Sequence, residues 1–173
     1  MELLEIILKR RSERTYTSEE IPDEKLEKIL QAGLLAPTSR NRKPCEFVVV
    51  KNKNVLKKLS KSKASGSVML ANANVAIVVF ADTDKADTWI EDSSIALAYM
   101  DLMANEQGVG SCWCQSHLRY TADEISSEDV VREICSMSDN YRVVGILSLG
   151  MAENRPEAHN LSEIDENKIR YIN

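Results

Sequence analysis

The sequence is poor in the residue types that mark disulfide-rich and metal-binding proteins. Its 173 residues include four cysteines and two histidines. The cysteines are Cys45, Cys112, Cys114 and Cys135. We expect a cytoplasmic protein, and because its four cysteines are too few for a disulfide framework in a chain of this length, we also expect free thiols. Because His117 and His159 have no Cys or His partners at ligand spacing, we expect no metal site.

The chain also lacks a net positive charge and long apolar runs. The net charge of -5 and the pI near 5.2 leave no general basic field that would attract nucleic acid. The opening residues MELLEIILKRRSER are too short and too polar for a membrane span or for the apolar region of a signal peptide. We therefore predict that neither nucleic acid nor a membrane is a partner.

The apolar residues that are present, 43% of the chain, are enough for the core of one domain over residues 1–173. Their spacing predicts helices over residues 3–8, 23–36, 55–62, 67–72, 89–106 and 127–137. Strands are predicted over residues 47–50, 75–80, 111–115 and 143–149, the first two of them buried. Strands separated by helices indicate an α/β layer architecture. The tail over residues 151–173 has too few apolar residues for a core of its own and must lie on another surface.

Two polar segments are candidates for binding. Arg10, Arg11, Ser12 and Arg14 place three guanidinium groups and a hydroxyl within five residues, and guanidinium matches the geometry of phosphate oxygens. The alternative is a solvated basic patch that the dipole at a helix end favours. The segment 38–43 is a polar loop between a helix and a strand, where loops often present binding groups. The alternative is a plain surface connection.

A Cys-x-Cys pair at Cys112 and Cys114 admits two interpretations. It could be a redox or metal pair, but alternate residues of a strand share one face without making a four-ligand site. Burial of both thiols among apolar side chains is the interpretation that we favour.

Several motifs together resemble the nitroreductase family. RRSER near residue 10 and APTSRNRKP at residues 36–44 are similar to its N-terminal motifs, and the strand EFVVV follows them. WIEDSSIALAYMDLMANEQGVGSCW is similar to its central dimer helix and next strand, and VVGILSLGMAENRP to its last strand. The resemblance implies a mixed α/β (α+β) sheet sandwiched by helices, an intertwined homodimer with FMN at its interface, and residues 151–173 as an arm on the partner subunit.

The resemblance also assigns roles to residues. Arg10, Arg11, Ser12 and Arg14 match positions that contact the FMN phosphate and ribityl chain. Thr38, Ser39 and Asn41 match positions that the partner subunit brings to the flavin ring. Cys114, Gln115 and Ser116 match the strand end beside the ring, where backbone N–H groups near N5 set its reactivity. Gly150 and Arg155 match the turn that returns to the phosphate. No catalytic residue is assigned, because the cofactor carries the hydride chemistry.

The function that the resemblance implies is an FMN-dependent oxidoreductase. It would accept hydride from NADH or NADPH and reduce nitroaromatics, quinones or flavins. An alternative is a flavin-binding protein of the same fold that acts in flavin fragmentation, reductive dehalogenation or flavin sequestration. A third alternative, an interaction module with a basic face, would be colourless after purification.

Overall fold

The computed structural model describes residues 2–172, and one four-stranded sheet forms its centre. The strands are β1 (Cys45–Val50), β2 (Val75–Asp82), β3 (Gly110–Gln115) and β4 (Tyr141–Gly150). Their order in the sheet is β1-β2-β4-β3, and all neighbouring strands are antiparallel. A parallel bridge joins Ser12 to Ser111 beyond the outer strand β3. The predicted mixed fold of sheet and helices is confirmed.

Helices cover both faces of this sheet. They are α1 (Leu3–Lys9), α2 (Asp23–Leu34), α3 (Lys53–Leu59), α4 (Trp89–Glu106) and α5 (Ser127–Ile134). Short 3-10 helices occupy Ser39–Asn41, Val68–Asn72, Leu161–Glu163 and Glu166–Lys168. Each predicted helix is present, although the one predicted over residues 67–72 is a 3-10 helix. It is too short for a stable α-helix, because Gly66 before it has a φ of 74° and Ala73 after it is extended.

The sheet separates two apolar cores. On one face, α2 and α4 cover a core that includes Ile29, Leu97 and Leu147. On the other, α3, the Val68–Asn72 turn and α5 cover a core that includes Leu56 and Ile146. Strand β2 is buried along its whole length because it lies in the centre of the sheet.

The prediction that the first strand is buried is wrong for much of β1. Val49 is 37% exposed, and Phe47 and Val48 are only half-buried. The physical reason is the place of β1 at an edge of the sheet, where it has one neighbouring strand instead of two.

The long helix α4 buries one side only. Leu97 and Met100 are fully buried against the sheet, whereas Tyr99 is 45% exposed. Next to Tyr99, an apolar groove of about 320 Å³ runs between α1, α2 and α4, and Leu3 and Leu102 line it. Contiguous exposed apolar surface of this kind is typical of surfaces that pack against another molecule.

The N-terminal segment 10–17 is held between β3 and the residues that follow β4. The N–H of Glu13 donates to the Ser111 carbonyl at 2.8 Å, and the N–H of Thr17 donates to the Met151 carbonyl at 2.8 Å. The ring of Tyr16 lies so close to Gly150 that a Cβ on that residue would be 2.5 Å from it. Only glycine fits at position 150 without displacing Tyr16.

Residues 159–172 lie on the surface of the molecule. The N–H of His159 donates to the Leu8 carbonyl at 2.8 Å, so the tail starts back along α1. Beyond it, five apolar side chains are between 53% and 99% exposed. They are Leu161, Ile164, Ile169, Tyr171 and Ile172. None of the helices in residues 2–172 is long and apolar enough to cross a membrane.

Leu97→Ala should lower the free energy of unfolding by about 3 kcal/mol, because it removes a fully buried side chain between α4 and the sheet. Leu118→Ala is the matched control, since Leu118 is 63% exposed. Urea unfolding followed by circular dichroism measures both. Equal losses in the two variants would contradict the core described here.

Glu13→Gln should make stability less dependent on pH. Glu13 is 3% exposed, and its Oε2 has no hydrogen-bond partner within residues 2–172. Burial raises the pKa of its carboxyl, Arg155 opposes the rise and Asp101 adds to it. A raised carboxyl pKa contributes stability below the ordinary value of 4.5 that is lost as pH rises through the folded-state pKa.

The difference in melting temperature between Glu13→Gln and the unchanged protein should therefore grow in favour of the variant from pH 4 to pH 8. Thermal unfolding at several pH values measures it, with the exposed Glu19→Gln as control. A constant difference over this range would refute the role given to the Glu13 carboxyl.

Candidate functional site

The outer edge of β3 is where most of the predicted site residues meet. The N–H of Ser116 donates to the Val144 carbonyl at 2.9 Å on the β4 side. Since backbone groups alternate along an antiparallel strand, the N–H and carbonyl of Gln115 point away from β4. Segment 10–17 runs beside the start of the same edge, through the bridge between Ser12 and Ser111. The edge therefore combines backbone hydrogen-bonding groups with the basic segment.

The three arginines of segment 10–17 use only part of their donor capacity. Arg10 Nη1 lies 3.4 Å from Asp101 Oδ2, Arg11 Nη1 donates to the Glu157 carbonyl, and Arg14 Nη1 donates to the Ser12 carbonyl at 3.3 Å. A guanidinium has five N–H donors, so each arginine keeps donors for an anion. These contacts thus hold the segment in place and leave it able to bind an anion.

A buried carboxylate on α4 fixes the position of this segment. Asp101 is 9% exposed, and it accepts hydrogen bonds from Arg10 and from the Ser111 hydroxyl. Burial raises the pKa of Asp101, while the hydrogen bond from Ser111 and the charge of Arg10 oppose the rise. Asp101 thereby links α4, β3 and the basic segment.

A lysine that was not predicted from the sequence completes the cationic edge. Lys63 Nζ donates to the outward carbonyl of Gln115 at 2.8 Å. The charges of Lys63 and Arg14 both act on the thiol of Cys112, and the Ser12 side chain is hydrogen-bonded to that thiol. Ser12, Arg14 and Lys63 therefore converge around one residue of β3.

The Cys-x-Cys pair lies under this edge. Cys112 and Cys114 are 2% and 1% exposed, and burial raises the pKa of both thiols against the lowering effect of Lys63. A buried thiol with a raised pKa is unreactive, which favours the apolar interpretation of the pair.

At the end of β3 a hydroxyl is left without a partner. Ser116 is 1% exposed, and within the described part of the chain its Oγ makes no hydrogen bond. The Gln115 side chain accepts from Trp113 Nε1 at 2.9 Å and donates to the His117 carbonyl at 3.3 Å. Because a buried polar atom without a partner is costly, the Ser116 hydroxyl is a candidate for contact with a bound group.

Gly150, the last residue of β4, and Arg155, which follows the strand, contribute to the site in different ways. Gly150 contributes indirectly. Because it has no side chain, the Tyr16 ring can pack against it. Arg155 Nη2 donates to the Gly108 carbonyl at 2.7 Å, and its charge acts on Glu13. Arg155 thus lies at the turn before β3, on the same side as the basic segment.

The second predicted segment lies elsewhere. Ser39 N–H donates to Asp92 Oδ1 at 2.9 Å, and Thr38 Oγ1 accepts from the Lys43 N–H at 3.1 Å. Asn41 has a φ of 55°. Asp92 and Asp101 are nine residues apart on α4, or about 14 Å along the axis. One protomer therefore does not bring Thr38, Ser39 and Asn41 to the edge of β3.

Known proteins with similar sequences and structures identify the family of this chain. Residues 7–151 match the model of the nitroreductase family. A protein of Archaeoglobus fulgidus, named provisionally as an NADH dehydrogenase/NAD(P)H nitroreductase, is 38% identical over 86% of this chain and 84% of its own.

Two solved structures show the same fold. An FMN-dependent nitroreductase from Clostridium difficile R20291 is 42% identical, with a TM-score of 0.95 over 98% of this chain and 99% of its own. A nitroreductase family protein from Clostridium difficile 630 is 31% identical, with a TM-score of 0.78 over 98% of this chain and all of its own. With a family model that spans most of its length and relatives similar from end to end, the chain belongs to the nitroreductase family.

Proposed function

We propose that the chain is the subunit of a homodimeric, cytoplasmic, FMN-dependent oxidoreductase that uses NADH or NADPH to reduce nitroaromatics, quinones or flavins. The solved relative that is 42% identical is described as FMN-dependent, and the Archaeoglobus relative carries an NAD(P)H nitroreductase name. The observation that carries the proposal is the cationic edge of β3, where Ser12, Arg14 and Lys63 converge.

The residues at this edge fit the chemistry of FMN. A phosphate monoester carries nearly two negative charges at neutral pH and needs several charge-assisted donors. Arg10, Arg11 and Arg14 retain such donors, and the Ser12 hydroxyl lies among them. The ring of a flavin needs donors and acceptors at its polar edge, which the outward backbone of Gln115 and the Ser116 hydroxyl offer.

These contacts suggest different roles for the cofactor and for the residues around it. Bound FMN would supply the hydride transfer between a nicotinamide and an acceptor. The four residues of the basic segment would hold the phosphate and ribityl chain. Cys114, Gln115 and Ser116 would border the ring, with Lys63 fixing the Gln115 carbonyl. Gly150 and Arg155 would shape the phosphate end, since Gly150 makes room for Tyr16.

A second copy would complete the site. The loop with Thr38, Ser39 and Asn41 is too far along α4 to serve the cationic edge of its own protomer. We infer that each protomer lends this loop to the other. The apolar groove along α1 and α4 is the surface where the two copies would pack, and residues 151–172 would extend as an arm from a single domain.

The spectrum of the purified protein tests the proposal. After FMN is added and excess removed, a retained flavin band should bleach under anaerobic NADH or NADPH and return with a quinone or nitroaromatic. Bleaching without turnover would favour a specialised flavin-binding protein instead. A colourless protein would overturn the FMN site.

The double variant Arg10→Ala with Ser12→Ala should bind FMN about 10- to 100-fold more weakly, because it removes a charged and a neutral donor to the phosphate. Fluorescence titration with FMN measures the dissociation constant, and circular dichroism checks that the fold is kept. Lys28→Ala, with the same loss of charge on α2, should leave the affinity unchanged. Unaltered FMN affinity in the double variant would refute the phosphate assignment.

Tyr99→Glu should convert the dimer into monomers at micromolar concentration, because it places a charge in the apolar surface along α4. Tyr120→Glu is the matched control, since Tyr120 is 53% exposed but lies in the loop before α5 on the other side of the sheet. Light scattering after size-exclusion chromatography gives the molar mass of each. Dimers in both variants would place the interface elsewhere.

A further inference from the structure

Positive charge is concentrated in one stretch of this acidic chain. Between Phe47 and Ala81 there are six lysines and no aspartate or glutamate, although the net charge of the whole chain is -5. The lysines are Lys51, Lys53, Lys57, Lys58, Lys61 and Lys63. Lys51 is paired with Asp23, and Lys53 donates to the Ala73 carbonyl. The Lys61 ammonium makes no ion pair or hydrogen bond with any residue in 2–172, so its charge is available to a ligand.

Lys61 lines a groove of about 400 Å³, a volume in the range of small-molecule sites. One wall is the loop between α3 and the Val68–Asn72 turn, and the other is the loop that precedes α5. Lys61, Ser65 and Val68 on the first wall face Thr121, Asp123 and Ile125 on the second.

The two walls are fixed to each other and within themselves. The Ala64 N–H donates across the groove to the Tyr120 carbonyl at 2.9 Å. Thr121 Oγ1 accepts from the N–H groups of Asp123 and Ile125 at 3.3 and 3.2 Å. A ligand would therefore enter a groove that is already formed, with little ordering cost.

The lining combines three kinds of recognition. Lys61 suits phosphate oxygens, and Val68 and Ile125, which are 75% and 52% exposed, offer apolar surface to a flat ring. The Asp123 carboxylate, the one acid of the lining, can accept hydrogen bonds from sugar hydroxyls. A nucleotide with a pyrophosphate, a ribose and a purine presents all three partners.

The groove is joined to the candidate FMN site. Lys63 also lines it, and the same Lys63 Nζ holds the Gln115 carbonyl at the outer edge of β3. The groove lies in the layer of α3 and α5, whereas the apolar surface of α1, α2 and α4 lies on the other face of the sheet. Dimer formation through that apolar surface would leave the groove open.

We propose that this groove binds the adenosine diphosphate half of the reduced pyridine nucleotide, an inference that rests on the proposed function. Lys61 binds the pyrophosphate, Val68 and Ile125 contact the adenine, and Asp123 accepts from the ribose. A carboxylate beside the ribose accepts from its 2′-hydroxyl and repels a 2′-phosphate. The groove therefore selects NADH over NADPH.

Calorimetric titration of the FMN-treated protein with ADP-ribose tests the site without using turnover. Lys61→Glu should weaken binding about tenfold or more, because it replaces a positive charge that attracts the pyrophosphate with a negative charge that repels it. Lys58→Glu is the matched control, since Lys58 is exposed three residues away and does not line the groove. Its effect should stay within about threefold, because Lys58 lies outside the lining and makes no direct contact with a pyrophosphate bound there.

Asp123→Asn tests the discrimination. The substitution removes the repulsion between the Asp123 carboxylate and a 2′-phosphate. The affinity for 2′-phospho-ADP-ribose relative to that for ADP-ribose should therefore rise about tenfold over the ratio in the unchanged protein. An unchanged ratio would overturn the selection of NADH.

Equal effects of Lys61→Glu and Lys58→Glu, or displacement of ADP-ribose by added FMN, would overturn the groove as its site. So would retained FMN with no binding of ADP-ribose at millimolar concentration. Failure of the proposed function would be distinguishable from these results, because the unchanged protein would then retain no flavin band in its visible spectrum after excess FMN is removed.

Discussion

The hydrogen bonds to the buried carboxylate of Asp101 hold α4, β3 and the basic segment together. Asp101 is carried by α4, whose inner side is fixed in the core by Leu97 and Met100. From there it binds Arg10 of the N-terminal segment and Ser111 of β3. Without these contacts the basic segment would lose its link to α4 and keep only its bonds to β3, to β4 and to the residues after β4. A charge that is expensive to bury thus sets the position of the groups that would hold the phosphate in the proposed FMN site.

The length of α4 has a further effect on the architecture. The helix holds Arg10 through Asp101 and the Ser39 loop through Asp92, so it places two sets of binding groups at fixed points on one rigid rod. Groups that are fixed so far apart on one protomer can meet only through a second protomer. In the proposed dimer, the same helix would therefore separate the two half-sites and supply the surface that joins them.

Much of this fold follows from local sequence pattern. The bounds of α4 were predicted to the residue, because apolar spacing without Gly or Pro extends from Trp89 until Gly108. The basic segment was recognised because its four polar residues are close together in sequence. Partial exposure of β1 was missed, since an apolar run does not reveal whether its strand lies at an edge.

The rest of the site depends on contacts between residues that are distant in sequence. Lys63 meets Gln115 across 52 positions, and Arg10 meets Asp101 across 91. No local pattern reports such pairs, although a carboxylate between Met100 and Leu102 in an apolar helix is a sign that a partner is needed. The charge asymmetry that marks the lysine-lined groove was in the sequence, but it had no meaning until the loops around it were placed.

Burial of Cys112 and Cys114 also bears on the durability of the protein. Peroxide attacks the thiolate, and the raised pKa values keep both sulfurs protonated beneath the edge of β3. A redox reaction that leaks electrons to oxygen produces peroxide at close range. Sulfur atoms in this position would resist oxidation by that peroxide. Strand β3, which borders the proposed site, would therefore keep its conformation through many catalytic cycles.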